Sequence, residues 1–121
     1  MAAEKRTSLN FSVTKNGQTL QQQIALSEDL AGSKLGGVRQ SLAAGSWTAL
    51  NLGTVTVADL LCVVNDDATN FVQLATANDN SGIFSKLTPG RCAFLPVDPA
   101  ATIYGRANTG ACVVKTTTVE A

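Results

Sequence analysis

Turn signals break this chain at intervals of about 8–12 residues, the spacing of a β-sandwich or barrel. Asn16-Gly17, Ala44-Gly45, Asn65-Asp66-Asp67-Ala68, the polar run 77–82 (ANDNSG), Pro89-Gly90, Asp98-Pro99-Ala100 and Asn108-Thr109-Gly110 all read as turns. The stretches between them are short and rich in strand formers. Residues 7–14 (TSLNFSVT) alternate, placing Leu9, Phe11 and Val13 on one face. Residues 19–26 (TLQQQIAL) follow the Asn-Gly turn as a hairpin partner or an ordered extended arm. Further strands are expected at 37–43, 46–52, 59–65, 70–76, 83–87, 91–97, 101–107 and 112–119. Residues 59–65 (DLLCVVN) read as buried on both faces, and Pro96 marks an edge or a bulge because it lacks an N–H.

Residues 1–6 read as a flexible arm, and Ser27-Glu28-Asp29-Leu30 as a cap for one helical turn. Gly32, Gly36 and Gly37 argue against a longer helix; a phosphate cradle would need a Gly-Lys-Ser/Thr that does not follow, so an extended loop is expected there. The expected fold is therefore all-β: a single β-sandwich, jelly-roll-like domain at 31–121 with an extended N-terminal arm or hairpin at 1–30.

Charge narrows the partners. Nine basic and nine acidic residues balance to zero, and charged residues make up 15 % of the chain. Lys5-Arg6 is the one adjacent basic pair, so no patch is expected to neutralise nucleic-acid phosphates. No apolar run approaches the roughly 20 residues of a membrane span, and the N-terminus lacks a signal-peptide core, so synthesis in the cytoplasm is expected. The sparse charge reads in two ways: much of the surface faces protein, or Thr, Ser, Asn and Gln supply the polarity.

Catalytic chemistry has few places to sit. There is no histidine, which removes Ser-His-Asp and Cys-His pairs and the commonest zinc ligand. Cys62, Cys92 and Cys112 each lie in an apolar run and are expected to be buried, free and inert. Asp66-Asp67 and Asp79 offer carboxylates for acid/base work or calcium, but Asp is equally a turn residue, and the turn reading is preferred. No catalytic residue, cofactor or metal site is expected. Phe71, Phe84 and Phe94 are expected in the core. The indole N–H of Trp47 and the hydroxyl of Tyr104 need partners, which allows an interface role. The interface positions expected are Phe11 and Gln22 on the arm, and Trp47, Pro96 and Tyr104 on the body.

Three segments carry a family texture: 61–72 (LCVVNDDATNFV), 86–97 (KLTPGRCAFLPV) and 102–114 (TIYGRANTGACVV). Together they resemble small structural proteins of tailed bacteriophages. There, a strand ending in Asn-x-Asp/Glu-x-x-Asn-Phe/Tyr-Val precedes a Leu-x-Pro-Gly turn and a final Tyr-containing strand pair. The likeness covers residues 59–119 and leaves the first half unplaced. It implies a virion component, a capsid decoration or cement protein that bridges major capsid protein subunits on the capsid surface, as a homo-oligomer. Tail, neck or fibre proteins are the neighbouring alternative. A carbohydrate- or ligand-binding β-sandwich is the alternative from a different class.

Overall fold

The computed structural model describes residues 5–28, 35–98 and 101–120. The chain divides into two units, 1–31 and 32–121.

The first unit is a hairpin of two eleven-residue strands, β1 (Lys5–Lys15) and β2 (Gln18–Glu28). Asn16 (φ 53°) and Gly17 (φ 76°) both take the left-handed conformation, which makes the tight turn whose twist suits two strands. Pairing runs without a break from Lys15↔Gln18 to Lys5↔Glu28. Lys5 and Arg6 thus belong to a strand instead of a free arm, and Ser27 and Glu28 extend β2 instead of capping a helix. Residues 29–30 of that expected helical turn, residues 1–4, Gly32, and Pro99 and Ala100 lie outside the described residues.

The second unit contains β3 (Leu35–Leu42), β4 (Thr48–Ala49), β5 (Ala58–Asn65), β6 (Val72–Ala75), β7 (Ile83–Leu87), β8 (Cys92–Pro96), β9 (Tyr104–Ala107) and β10 (Cys112–Glu120). They form two four-stranded sheets, ordered β3-β10-β5-β8 and β4-β9-β6-β7. Every described pairing is antiparallel apart from one isolated bridge, Ala44↔Ala107. The pairs nest: β6 with β7, then β5 with β8, β4 with β9, and β3 with β10. A long double ribbon folded at the β6–β7 connection and rolled into two sheets has this order, and the body is a jelly-roll sandwich.

Strand alternation fills the space between the sheets. Leu42, Leu61, Val63, Val72, Leu74, Cys112 and Val114 are fully buried, with Leu50, Leu87 and Ala107 beside them. Burial of these side chains is the main driving force, at roughly 25 cal/mol per Å² of apolar surface. In β5 only one side is fully buried: Leu61, Val63 and Asn65 point inward, while Leu60, Cys62 and Val64 are half-buried. The expectation of burial on both faces fails because nothing described covers the outer side of that sheet completely.

Two glycines set close approaches. A Cβ on Gly105 would lie 2.6 Å from Leu42 Cδ1, and one on Gly36 would lie 2.5 Å from the Leu52 carbonyl oxygen. Gly36 and Gly37 therefore belong to strand β3, where the bare backbone admits the neighbouring loop, and do not form an open glycine loop. Pro96 closes β8, an edge strand, where its missing N–H disrupts no interior ladder.

Candidate functional site

The strongest feature is the hairpin's sidedness. Cross-strand partners share a face, so Leu9↔Ile24, Phe11↔Gln22, Val13↔Leu20 and Thr7↔Leu26 all project to one side. The same side continues into Lys15↔Gln18 at the turn, and the other side carries Arg6, Ser8, Asn10, Ser12, Thr14, Thr19, Gln21, Gln23, Ala25 and Ser27. On the apolar side Phe11 is 62 % exposed and Leu20 72 %, and Leu9, Val13, Ile24 and Leu26 are exposed as well. Apolar residues on a regular face and left in water mark an association surface more often than a structural core. Phe11 and Gln22, both singled out by sequence, form one register pair at its centre.

A second group sits on the β4-β9-β6-β7 sheet. The Trp47 indole N–H donates to Asn80 Oδ1 at 3.1 Å. Arg106 stacks over the Trp47 ring, 4.6 Å from its centroid, and donates to Asn80 Oδ1 at 3.0 Å and to Gln73 Oε1 at 2.9 Å. Gln73 and Arg106 are register partners, as are Gln73 and Lys86. The Lys86 ammonium lies 4.2 Å from the Phe71 ring centroid. The Trp47–Arg106 stack and the Asn80 bridges pin the 76–82 loop to β9, while the Lys86–Phe71 pair ties β7 to the residue before β6. Tyr104, half-buried on β9, pairs with Ala49, two residues beyond Trp47. Trp47 and Tyr104 therefore share a sheet, whereas Pro96 lies on the other one. Phe11 and Gln22 belong to the hairpin, so the expected interface positions fall on three different sheets. Arg106, Gln73 and Lys86 gave no local sequence signal, because their partners are distant in the chain.

The aromatic core expectation needs correction. Phe71 and Phe94 are half-buried, and Phe84 is 45 % exposed. In β7 the inward position belongs to Leu87, which turns Lys86 and Phe84 outward. The cysteines also divide: Cys112 is buried, Cys62 half-buried and Cys92 exposed. In β8 the inward places go to Ala93 and Leu95, which pack on the core, so Cys92 faces out. Burial pushes the Cys62 thiol upward, with Cys92 adding to the effect. Burial and the Asp67 charge do the same for Cys112. Both shifts favour the unreactive thiol over the thiolate.

The adjacent carboxylates are employed separately. Asp66 pairs with Arg39 at 2.6 Å on the surface. Asp67 Oδ2 accepts from the backbone N–H of Asn70 (2.7 Å) and Thr69 (3.0 Å), which holds its carboxyl below the usual range. Asp79 accepts from Ser81, whose hydroxyl and N–H hold it low as well. These are turn-building roles. Among the described residues no three His, Cys, Asp or Glu side chains gather where they could hold a metal ion. A cleft of about 150 Å³ opens at one end of the sandwich between Leu50, Leu52, Leu61, Val97 and Ile103. Nothing in its lining titrates, so it offers room for a small apolar group and no acid/base chemistry.

The second unit is a jelly-roll body and the first an amphipathic hairpin. Comparison with family profiles, with characterised protein sequences and with solved structures finds no match.

Proposed function

We propose that this chain is a non-enzymatic virion structural protein, a decoration or cement protein on the head of a tailed phage. The observation that carries this reading is the hairpin: a regular ribbon, charged only towards its ends, that displays six large apolar side chains to solvent. A surface of that kind is costly to keep in water and is useful only when covered. The phage-like segments supply the biological setting. They fall on β5 to β6, β7 to β8 and β9 to β10, the strand-and-turn framework of the body. Jelly rolls build many viral capsid domains, though they also build lectins, so the fold is compatible with this setting without specifying it.

In this reading the body sits on the shell surface and its hairpin mediates attachment. Among the described residues each strand of the hairpin has one unpaired edge, and such an edge can extend a sheet of the major capsid protein. Many copies on one shell multiply a modest single-site affinity. The work is mechanical: bridging neighbouring subunits, with no bond made or broken. Protein quantification by mass spectrometry in purified virions tests this. Presence at a copy number close to that of the shell subunits supports decoration, a low copy number supports the tail or neck alternative, and absence ends both.

A further inference from the structure

We propose that the outer side of the β4-β9-β6-β7 sheet binds an acidic polysaccharide, a chain of linked sugars that carry carboxylates. Its first support is what the strands gather there. Arg106, Gln73 and Lys86 stand in one register row across β9, β6 and β7. Gly105 turns inward against Leu42 and Leu50, and Leu87 is buried, so Arg106 and Lys86 turn outward. Tyr104 and Phe84 lie two residues from them on the same side. With Trp47 under Arg106 and Phe71 under Lys86, four of the chain's six aromatic residues meet on this one face.

Hydrogen bonding is the second support. Asn80 Oδ1 is spent on the Trp47 N–H and on Arg106, and Gln73 Oε1 on Arg106. Donors are left over. Among the described residues, the amide NH2 groups of Asn80 and Gln73 and the Lys86 ammonium make no hydrogen bond, and Arg106 keeps N–H groups beyond the two it uses. Neither cation pairs with a carboxylate among the described residues, and Asp79, beside Asn80 in the chain, turns back onto Ser81. Spare donors and two unpaired positive charges select a ligand rich in acceptor oxygens and negative charge. The Trp47 stack holds the Arg106 guanidinium, so a carboxylate meets a fork already oriented.

Spacing and shape select the polymer. Arg106 and Lys86 stand two strands apart, roughly 10 Å, so one small anion cannot touch both and a chain with repeated charges can. Phe84, 45 % exposed, and Tyr104 supply ring faces whose negative charge density attracts the slightly positive C–H face of a sugar. β9 and β6 are interior strands with their main chain in the ladder, so the middle of this face has no free backbone to which a peptide strand could add. A single-stranded nucleic acid is held by a groove of many cations along its phosphates, and two charges are too few for that.

Calorimetric titration of the purified full-length chain with polygalacturonate fragments tests the proposal, without any shell and therefore independently of the virion reading. The expected result is saturable binding that weakens as salt is added, with none to dextran, a neutral polysaccharide. Lys86→Gln and Phe84→Ser, both at exposed positions, should each weaken binding about tenfold. Lys115→Gln, exposed on the other sheet, should leave it unchanged. Thermal melting followed by Trp47 fluorescence checks that the body remains folded in every variant. No binding of polygalacturonate would overturn the proposal. So would binding that Lys86→Gln leaves undiminished, or that Lys115→Gln weakens equally. Tighter binding of a thymidine oligonucleotide of equal charge would overturn it too, and would make the face a nucleic-acid surface.

Discussion

The side-chain amide of Asn65, at the end of β5, donates to the carbonyl of Leu87, at the end of β7 in the opposite sheet, at 2.8 Å. The same amide donates to the Asn70 carbonyl at 2.9 Å. Its oxygen accepts from the Asp67 N–H at 2.9 Å and from the Cys112 thiol at 3.1 Å. One side chain, 1 % exposed, thus ties two sheets and the 65–70 turn together with every hydrogen-bonding group occupied. Removing it leaves buried carbonyls without donors. Asn65→Ala should cost about 2–4 kcal/mol, read from the urea midpoint. Asn65→Leu should cost at least as much, because polarity and not volume is what the site requires.

Thr116 and Thr118 present the reverse case. Both are buried to 1 % exposure on the inner side of β10, and neither hydroxyl has a hydrogen-bond partner among the described residues. Valine has nearly the same shape and favours strands equally. Thr116→Val and Thr118→Val should each raise stability by about 1 kcal/mol, since each removes an unpaired buried polar group. Equilibrium denaturation of the two variants checks the sign, and a loss of stability would show that these hydroxyls have partners.

Acid stability follows from Asp67. Its folded pKa is depressed by the Asn70 and Thr69 N–H groups. A depressed carboxylate stabilises above the unfolded value of about 4 and loses that contribution as pH falls through the folded value. Asp67→Asn keeps an acceptor oxygen but not the charge that strengthens those bonds. The variant should be weaker than wild type at neutral pH, and the gap should close as the solution is made acid. Asp79, depressed by Ser81, contributes with the same sign and remains in both proteins. Urea melts taken across the acid range measure the gap.

Thiol labelling separates the three cysteines. Cys92 is exposed, Cys62 half-buried and Cys112 buried. One thiol should react rapidly with an aromatic disulfide reagent, a second slowly, and the third only on unfolding. Cys92→Ser should abolish the rapid phase alone.

Much of this architecture can be read along the chain. Strict alternation in 7–14 and the Asn16-Gly17 pair define the hairpin, because period two and two left-handed residues leave little else to form. Thr88-Pro89-Gly90 reads correctly as a turn: the Arg91 N–H reaches the Thr88 carbonyl at 3.0 Å, and Gly90 takes φ 81°. The expected strand at 46–52 shrinks to Thr48–Ala49. There Gln40 captures the backbone, donating to the Ala49 carbonyl at 3.1 Å and accepting from the Asn51 N–H at 2.9 Å. Such side-chain bonds replace a ladder and cannot be seen in local propensity. β3 begins earlier than expected because Leu35 and Gly36 pair with Val119 and Thr118 of β10, far along the chain. The Trp47–Arg106 contact is hidden for the same reason: fifty-odd residues separate partners that only strand pairing brings together. Cys92 and Phe84 are misplaced because an apolar run does not announce which of its alternate positions face the core.

The central claim is that this chain is an assembly part whose hairpin makes the contacts. Its most direct test mixes the purified protein with shells built from the major capsid protein alone and separates free from bound by sedimentation. The account predicts saturable co-sedimentation of the wild type and its loss when residues 1–31 are removed, with the jelly-roll body still folded. Failure of the wild type to bind, or undiminished binding without the hairpin, would contradict it.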